Sequence, residues 1–154
     1  SLDTIADYMA DLGYKGIQIP TWDPRMIDLK QAAESKTYCD ELKGKMADKG
    51  LEITELSTHL QGQLVASHPT YDRMYDAFAP AEVHGDEPTR RKWAIEQVKY
   101  AAKASQNMGM TAHVGCPGAL AWPFICILYT YDAADDLLFL DLSRYCIRTQ
   151  HMYV

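Results

Sequence analysis

Apolar residues recur along this chain with two different periods, and the periods take turns. Spacings of three and four over Asp3–Leu12 place Ile5, Tyr8, Met9 and Leu12 on one helical face. Alternation then takes over in Gly16–Pro20, where Ile17 and Ile19 point one way and Gln18 the other. The order repeats in Tyr38–Lys49 (Cys39, Leu42, Met46) with Leu51–His59, and again in Arg90–Met108 (Trp93, Val98, Ala101, Ala102, Ser105, Met108) with Met110–Gly115. Gly13, Gly50 and Gly109 stand where each helix must stop, because glycine tolerates the left-handed backbone that closes a helix. Helix alternating with strand predicts an α/β fold with a parallel sheet covered by helices.

The connections are less regular. Trp22–Lys36 is predicted as a connection with a turn at Asp23-Pro24, and Leu60–Glu87 as a long ordered loop anchored by Tyr71, Tyr75 and Phe78, with a short helix near Tyr71–Ala77. Unstructured connections longer than about 15 residues are rare in compact domains unless they carry function. Pro88 suits the first turn of the third helix.

The 154 residues, 47% hydrophobic and 23% charged, suffice for one core. A full barrel of eight strand–helix pairs takes about 250 residues, so three units predict a partial TIM barrel over residues 1–123. Residues 124–154 break the pattern: they contain no glycine, proline, lysine or glutamate, where average usage predicts about four glycines and prolines. This tail reads as foreign to the barrel, either a frameshifted end or an apolar helix over Ala133–Leu142.

The net charge of −6 argues against nucleic acid and anionic membrane as partners, since both are held by basic surfaces. No apolar run approaches the roughly 20 residues that span a bilayer. Cys39, Cys116, Cys126 and Cys146 form no C-x-x-C pair, which predicts reduced thiols in a cytoplasmic protein rather than a disulfide framework.

Chemistry is expected at the strand ends, where such sheets place their sites. The alternation puts Gln18, then Ile53, Glu55, Ser57 and His59, then Thr111 and His113 on the predicted inward face. Polar groups there need partners, which a polyhydroxylated ligand, one another or water would supply. His59 is a candidate hydrogen-bond donor to substrate, and His113 is expected to share its ligand. Trp22 and Trp122 flank strand ends and suit stacking on a sugar ring or packing in a wall; Gln63 suits reading hydroxyls or bracing its loop. Cys116 has no basic neighbour in sequence except His113 and is not expected to be a nucleophile. Glu55 and His59 lie about 13 Å apart along one strand, at about 3.3 Å per residue, too far to act on one bond.

Three runs carry a resemblance: Gly13-Tyr14-Lys15-Gly16-Ile17-Gln18-Ile19-Pro20, Leu56-Ser57-Thr58-His59-Leu60-Gln61-Gly62-Gln63-Leu64, and Thr111-Ala112-His113 followed by Gly118-Ala119-Leu120-Ala121-Trp122-Pro123. Over residues 1–123 the chain resembles the sugar phosphate isomerase/epimerase family with its xylose-isomerase-like TIM barrel. The resemblance implies a barrel that binds a divalent metal, often manganese, magnesium or zinc, and interconverts sugars or polyols while a carboxylate pair moves a proton. It also implies that most metal-binding side chains lie on later strands, that the chain starts after the family's first strand, and that Gln18 stands where relatives often carry an acid. No catalytic residue or metal ligand of the family maps onto a position of this sequence; Trp22, His59, Gln63, His113 and Trp122 map to the substrate side. The expectation is an amino-terminal fragment of a metal-dependent sugar isomerase or epimerase, inactive alone. The alternatives are a noncatalytic binding or assembly piece whose open sheet edges are covered by a partner or a second copy, and a zinc enzyme resembling apurinic endonucleases.

Overall fold

The computed structural model describes residues 1–118, apart from the side chains of residues 69–72. Within them the order is helix α1 (Leu2–Asp11), strand β1 (Gly16–Pro20), α2 (Leu29–Glu34), α3 (Lys36–Asp48), β2 (Glu52–Thr58), α4 (His59–Gln63), two 3-10 segments (Pro69–Phe78 and Ala81–Val83), α5 (Glu87–Met108) and β3 (Val114–Gly115). The strands form one parallel sheet in the order β1-β2-β3. This is the α/β architecture of a partial TIM barrel.

The helix ends follow the chemistry of their residues. Ser1, Asp28, Ser35 and Asp86 each accept from a backbone N–H in the first turn of α1, α2, α3 and α5, satisfying donors that have no intrahelical partner. Gly13, Gly50 and Gly109 adopt φ of 84°, 74° and 74°, the left-handed closure expected of them. Two more ends are capped from a distance. The Asn107 amide donates to Ala32 O and Ala33 O at 2.9 Å each, and the Lys43 ammonium donates to Met108 O at 2.9 Å. These bonds tie α2 and α3 to the end of α5.

The core lies between the sheet and these helices. Ile17 and Ile19 from β1, Ile53 and Leu56 from β2, and Ala101, Ala104 and Met108 from α5 are buried together with Leu42 and Met46 of α3. A second apolar cluster sits beneath the long connection, where Leu64, Tyr75 and Ala94 pack with Trp93 and Phe78. The aromatic anchors Tyr75 and Phe78 therefore order that connection, with ring centroids 6.0 Å apart.

Several expectations are corrected. In α1 the buried residues are Leu2 and Ala6, with Met9 and Ala10 against the core, whereas Ile5, Tyr8 and Leu12 are 41%, 64% and 57% exposed. The sequence offers two apolar stripes on this helix, and the one with small Ala6 permits the closer approach to the sheet. Ala102 is exposed and Ala104 takes its place in the α5 stripe. Residues 22–36 hold helix α2, and His59 opens α4 rather than a loop. The third strand is two residues long, so Thr111 and His113 precede it.

The largest difference concerns the phase of β2. Ile17 pairs with Ile53 but Gln18 pairs with Glu55, so Thr54 is an extra residue in β2, a bulge. The bulge turns Ile53 to the helix side, away from the inward face assigned to it by strict alternation, while Glu55 and Ser57 keep that face.

A buried ion pair fastens the second cluster. Arg90 is 1% exposed, and its guanidinium bonds the Asp76 carboxylate, which also accepts from Gly85 N. Burial lowers the Arg90 pKa from its usual value; the guanidinium stays charged, so it depends on the Asp76 carboxylate to offset the cost of taking that charge out of water. Asp76→Ala is expected to destabilise the chain by about 2 kcal/mol, read as a lower urea midpoint; an unchanged midpoint would show that the pair does not hold the loop.

Candidate functional site

The carbonyl end of the sheet gathers side chains from four segments. Gln18 of β1 and Glu55 of β2 are register partners, and the Gln18 amide donates to the Glu55 carboxylate at 3.0 Å. Above them Ser57 is buried, and its carbonyl accepts from both Thr21 N at 2.9 Å and Thr21 Oγ1 at 2.8 Å. This pair of hydrogen bonds fixes the residue before Trp22, so the indole is held beside the end of β2.

His59, first residue of α4, is exposed there. Its ring lies 5.9 Å from the Trp22 ring, tilted by 48°, and its Nδ1 is 3.6 Å from Cys116 Sγ, a contact in which either atom donates according to the tautomer. Cys116 reaches this place because the segment after β3 docks on α4. Gly118 N donates to Gly62 O at 3.0 Å, and a Cβ on Gly62 would lie 2.9 Å from Cys116 O, so only glycine allows the approach. The sequence assigned Cys116 no basic neighbour except His113; the structure supplies His59 instead. The signal that was present is Gly62, whose missing side chain marks a close backbone contact.

Gln63 is buried, and its amide donates to His59 O at 3.0 Å. That bond ties Gln63 to the turn that carries His59, while its carbonyl Oε1 is buried without a hydrogen-bond partner. Trp122 and the tail over residues 124–154 lie outside the described residues.

His113 is not part of this group. Its Nε2 lies 3.0 Å from Thr58 Oγ1 and its Nδ1 3.3 Å from Ser105 Oγ of α5. Ser105 belongs to α5, whose Ala101, Ala104 and Met108 pack in the core with the sheet, so the ring is held on the helix side of the sheet. The expectation that His113 faces inward and shares a ligand with His59 is therefore corrected. A two-residue strand displaces the assumed alternation, and two hydroxyls satisfy the ring inside the fold.

A divalent metal was expected of the family, with its ligands elsewhere. Among the described residues no three His, Cys, Asp or Glu side chains converge on a point able to hold a metal ion. Glu55 is engaged by Gln18 and His59 by Cys116. These residues alone do not fit a metal centre, and no chemical step is assigned to one here.

The family follows from one match. Residues 6–136 fit the model of the xylose isomerase-like TIM barrel. The chain belongs to this family. The match runs past residue 123, where composition placed a boundary. Comparison with curated proteins returned no match. Members of this barrel family are generally enzymes and often use divalent metals. No helix among the described residues is long and apolar enough to cross a membrane.

The half-buried imidazole of His113 makes a pH prediction. Desolvation lowers the His113 pKa below its ordinary 6.5, opposed in part by the charge of Glu55. A folded-state value below the unfolded one means that the unfolded chain binds the proton more readily. Stability from the neutral ring is then complete above about pH 6.5 and is lost as pH falls toward the folded pKa. Urea melts at pH 7.5 and 5.5 are expected to show a larger acid loss in the native chain than in His113→Gln. Equal losses would contradict the assignment.

Proposed function

We propose that the strand-end group is the sugar-binding portion of an isomerase or epimerase that interconverts sugars, sugar phosphates or related polyols, and that the described strands alone do not turn substrate over. The observation that carries this reading is the juxtaposition of Trp22 and His59 on the open carbonyl end of a xylose isomerase-like barrel. An indole face suits the C–H face of a sugar ring, and an imidazole beside it suits a hydroxyl. With Nδ1 against Cys116, the remaining His59 nitrogen has no partner among the described residues and is available to the ligand. Gln18 and Glu55 line the same face lower down and orient the ligand's far end rather than its reacting carbons.

Members of such a family would place further acidic side chains on other strands, and the chain's own residues bind and orient. Turnover needs a group that takes a proton from one carbon and returns it to the next, and among the described residues the one carboxylate on this face, Glu55, is occupied by Gln18. Incubation of the 154-residue chain with manganese and a panel of sugars in deuterated water is expected to give saturable shifts of the His59 ring protons and no deuterium in the sugar. His59→Ala should remove the binding that those shifts report. Turnover by the chain, or His59 resonances that ignore every sugar, would contradict the proposal.

A second reading has its own support. Ile5, Tyr8 and Leu12 form an exposed apolar face with Tyr14 beside it, and β1 is a sheet edge among the described residues. Exposed apolar faces and open edges favour association, so the chain also serves as a piece that assembles with copies of itself. Sedimentation analysis is expected to show concentration-dependent association that Tyr8→Lys weakens. A monomer at all concentrations would exclude this role.

A further inference from the structure

Among the described residues there are two free thiols, and their surroundings are opposite. Cys39 is fully buried in α3, where Sγ donates to Ala32 O at 3.2 Å and burial raises the thiol pKa. It packs as a small apolar side chain, out of reach of solutes. Cys116 is only half-buried and its partner, His59, is exposed, so small solutes reach the pair.

The two residues stand 57 positions apart, yet Cys116 Sγ lies 3.6 Å from His59 Nδ1. A glycine in each segment admits the contact. A Cβ on Gly62 of α4 would lie 2.9 Å from Cys116 O, and one on Gly115 would lie 3.1 Å from Thr58 Oγ1, beside the start of α4. The His59 ring also packs on the Trp22 indole, which restricts its rotation away from the sulfur. With the ring proton on Nε2, Nδ1 accepts the thiol hydrogen. A thiol becomes a strong nucleophile once its proton is taken, and an adjoining imidazole is a group that takes it.

The geometry also limits the reagent. Cys116 does not line the clefts of about 450, 590 and 640 Å³ beside the helices, so its chemistry suits a molecule too small to need a pocket.

We infer that Cys116 is a peroxide-reactive thiol with His59 as its base, converted by hydrogen peroxide to the sulfenic acid. As the sulfur attacks one peroxide oxygen, the thiol proton passes to Nδ1, an S–O bond forms and the O–O bond breaks. The departing hydroxide takes that proton from the imidazolium and leaves as water. Sulfur loses two electrons, the peroxide gains them, and His59 ends as it began. An added thiol restores the cysteine by way of a mixed disulfide. This goes beyond the strand-end assignment, since it holds whether or not His59 binds sugar.

Trapping of the sulfenic acid by excess dimedone tests it on the full 154-residue chain, with no sugar present. Hydrogen peroxide at pH 7, followed by peptide mass spectrometry, is expected to give label at Cys116 at least about tenfold faster than at Cys39. His59→Phe keeps a ring against Trp22 and removes the base. It should slow labelling of Cys116 about tenfold at pH 7. At pH 9.5, above the range near 8.5 where thiols ordinarily ionise, hydroxide takes the proton unaided and the slowing should fall below about threefold. Thermal melting checks that the variant folds; if it does not, His59→Gln carries the same test with the same expected slowing. Label at Cys116 no faster than at Cys39, an unchanged rate in a folded His59 variant, or an equal slowing at both pH values, which marks altered access rather than a lost base, would overturn the inference.

Discussion

The pairing of β1 with β2 is the constraint on which the rest depends. Its register contains one extra residue, Thr54, and that residue sets the phase of everything after it in β2. With the bulge in place, Ile53 and Leu56 both enter the core, and Glu55, Ser57 and His59 emerge on the opposite face. Without it, a strand with Ile53 buried would drive Glu55 and Ser57 into the core and leave Leu56 outside, since a shift of one residue exchanges the two faces of a strand. The bulge therefore reconciles a core that needs two apolar residues three apart with a site that needs polar residues at its rim.

From that phase the site follows by a short series of contacts. Ser57 O receives two bonds from Thr21 and so positions the residue next to it, Trp22. His59 begins α4, Gln63 holds the carbonyl of His59 one turn later, and Gly62 admits the segment that brings Cys116 to the ring. On the other face Thr58 and Ser105 take up His113. Two histidines on neighbouring segments thus have different surroundings. One is exposed beside an indole and a thiol, the other is held between hydroxyls where burial disfavours its charge.

Much of the architecture was legible in the residues. The closing glycines and the buried Ile17–Ile19 pair act as local chemistry predicts, because each depends on neighbours only a few residues away. The positions of Trp22 and His59 beside the strand ends were legible for the same reason, since both follow closely on a strand. What escaped depends on distant contacts. The stripe of α1 was ambiguous because Ile5, Tyr8 and Leu12 are as apolar as Leu2, Ala6 and Met9, and only the sheet decides between them. The side taken by His113 depends on where a very short strand begins, and the contact of Cys116 with His59 joins residues far apart in the chain. The bulge at Thr54 carries no glycine or proline to announce it.

The central claim is that His59 and His113 occupy opposite faces of the sheet, with only His59 at the open strand ends. Nuclear Overhauser contacts between assigned side-chain protons test this directly. The account predicts contacts from the His59 ring to the Trp22 indole, and from the His113 ring to the side chains of Thr58 and Ser105. Contacts between the two imidazole rings, or from His113 to Trp22, would contradict it.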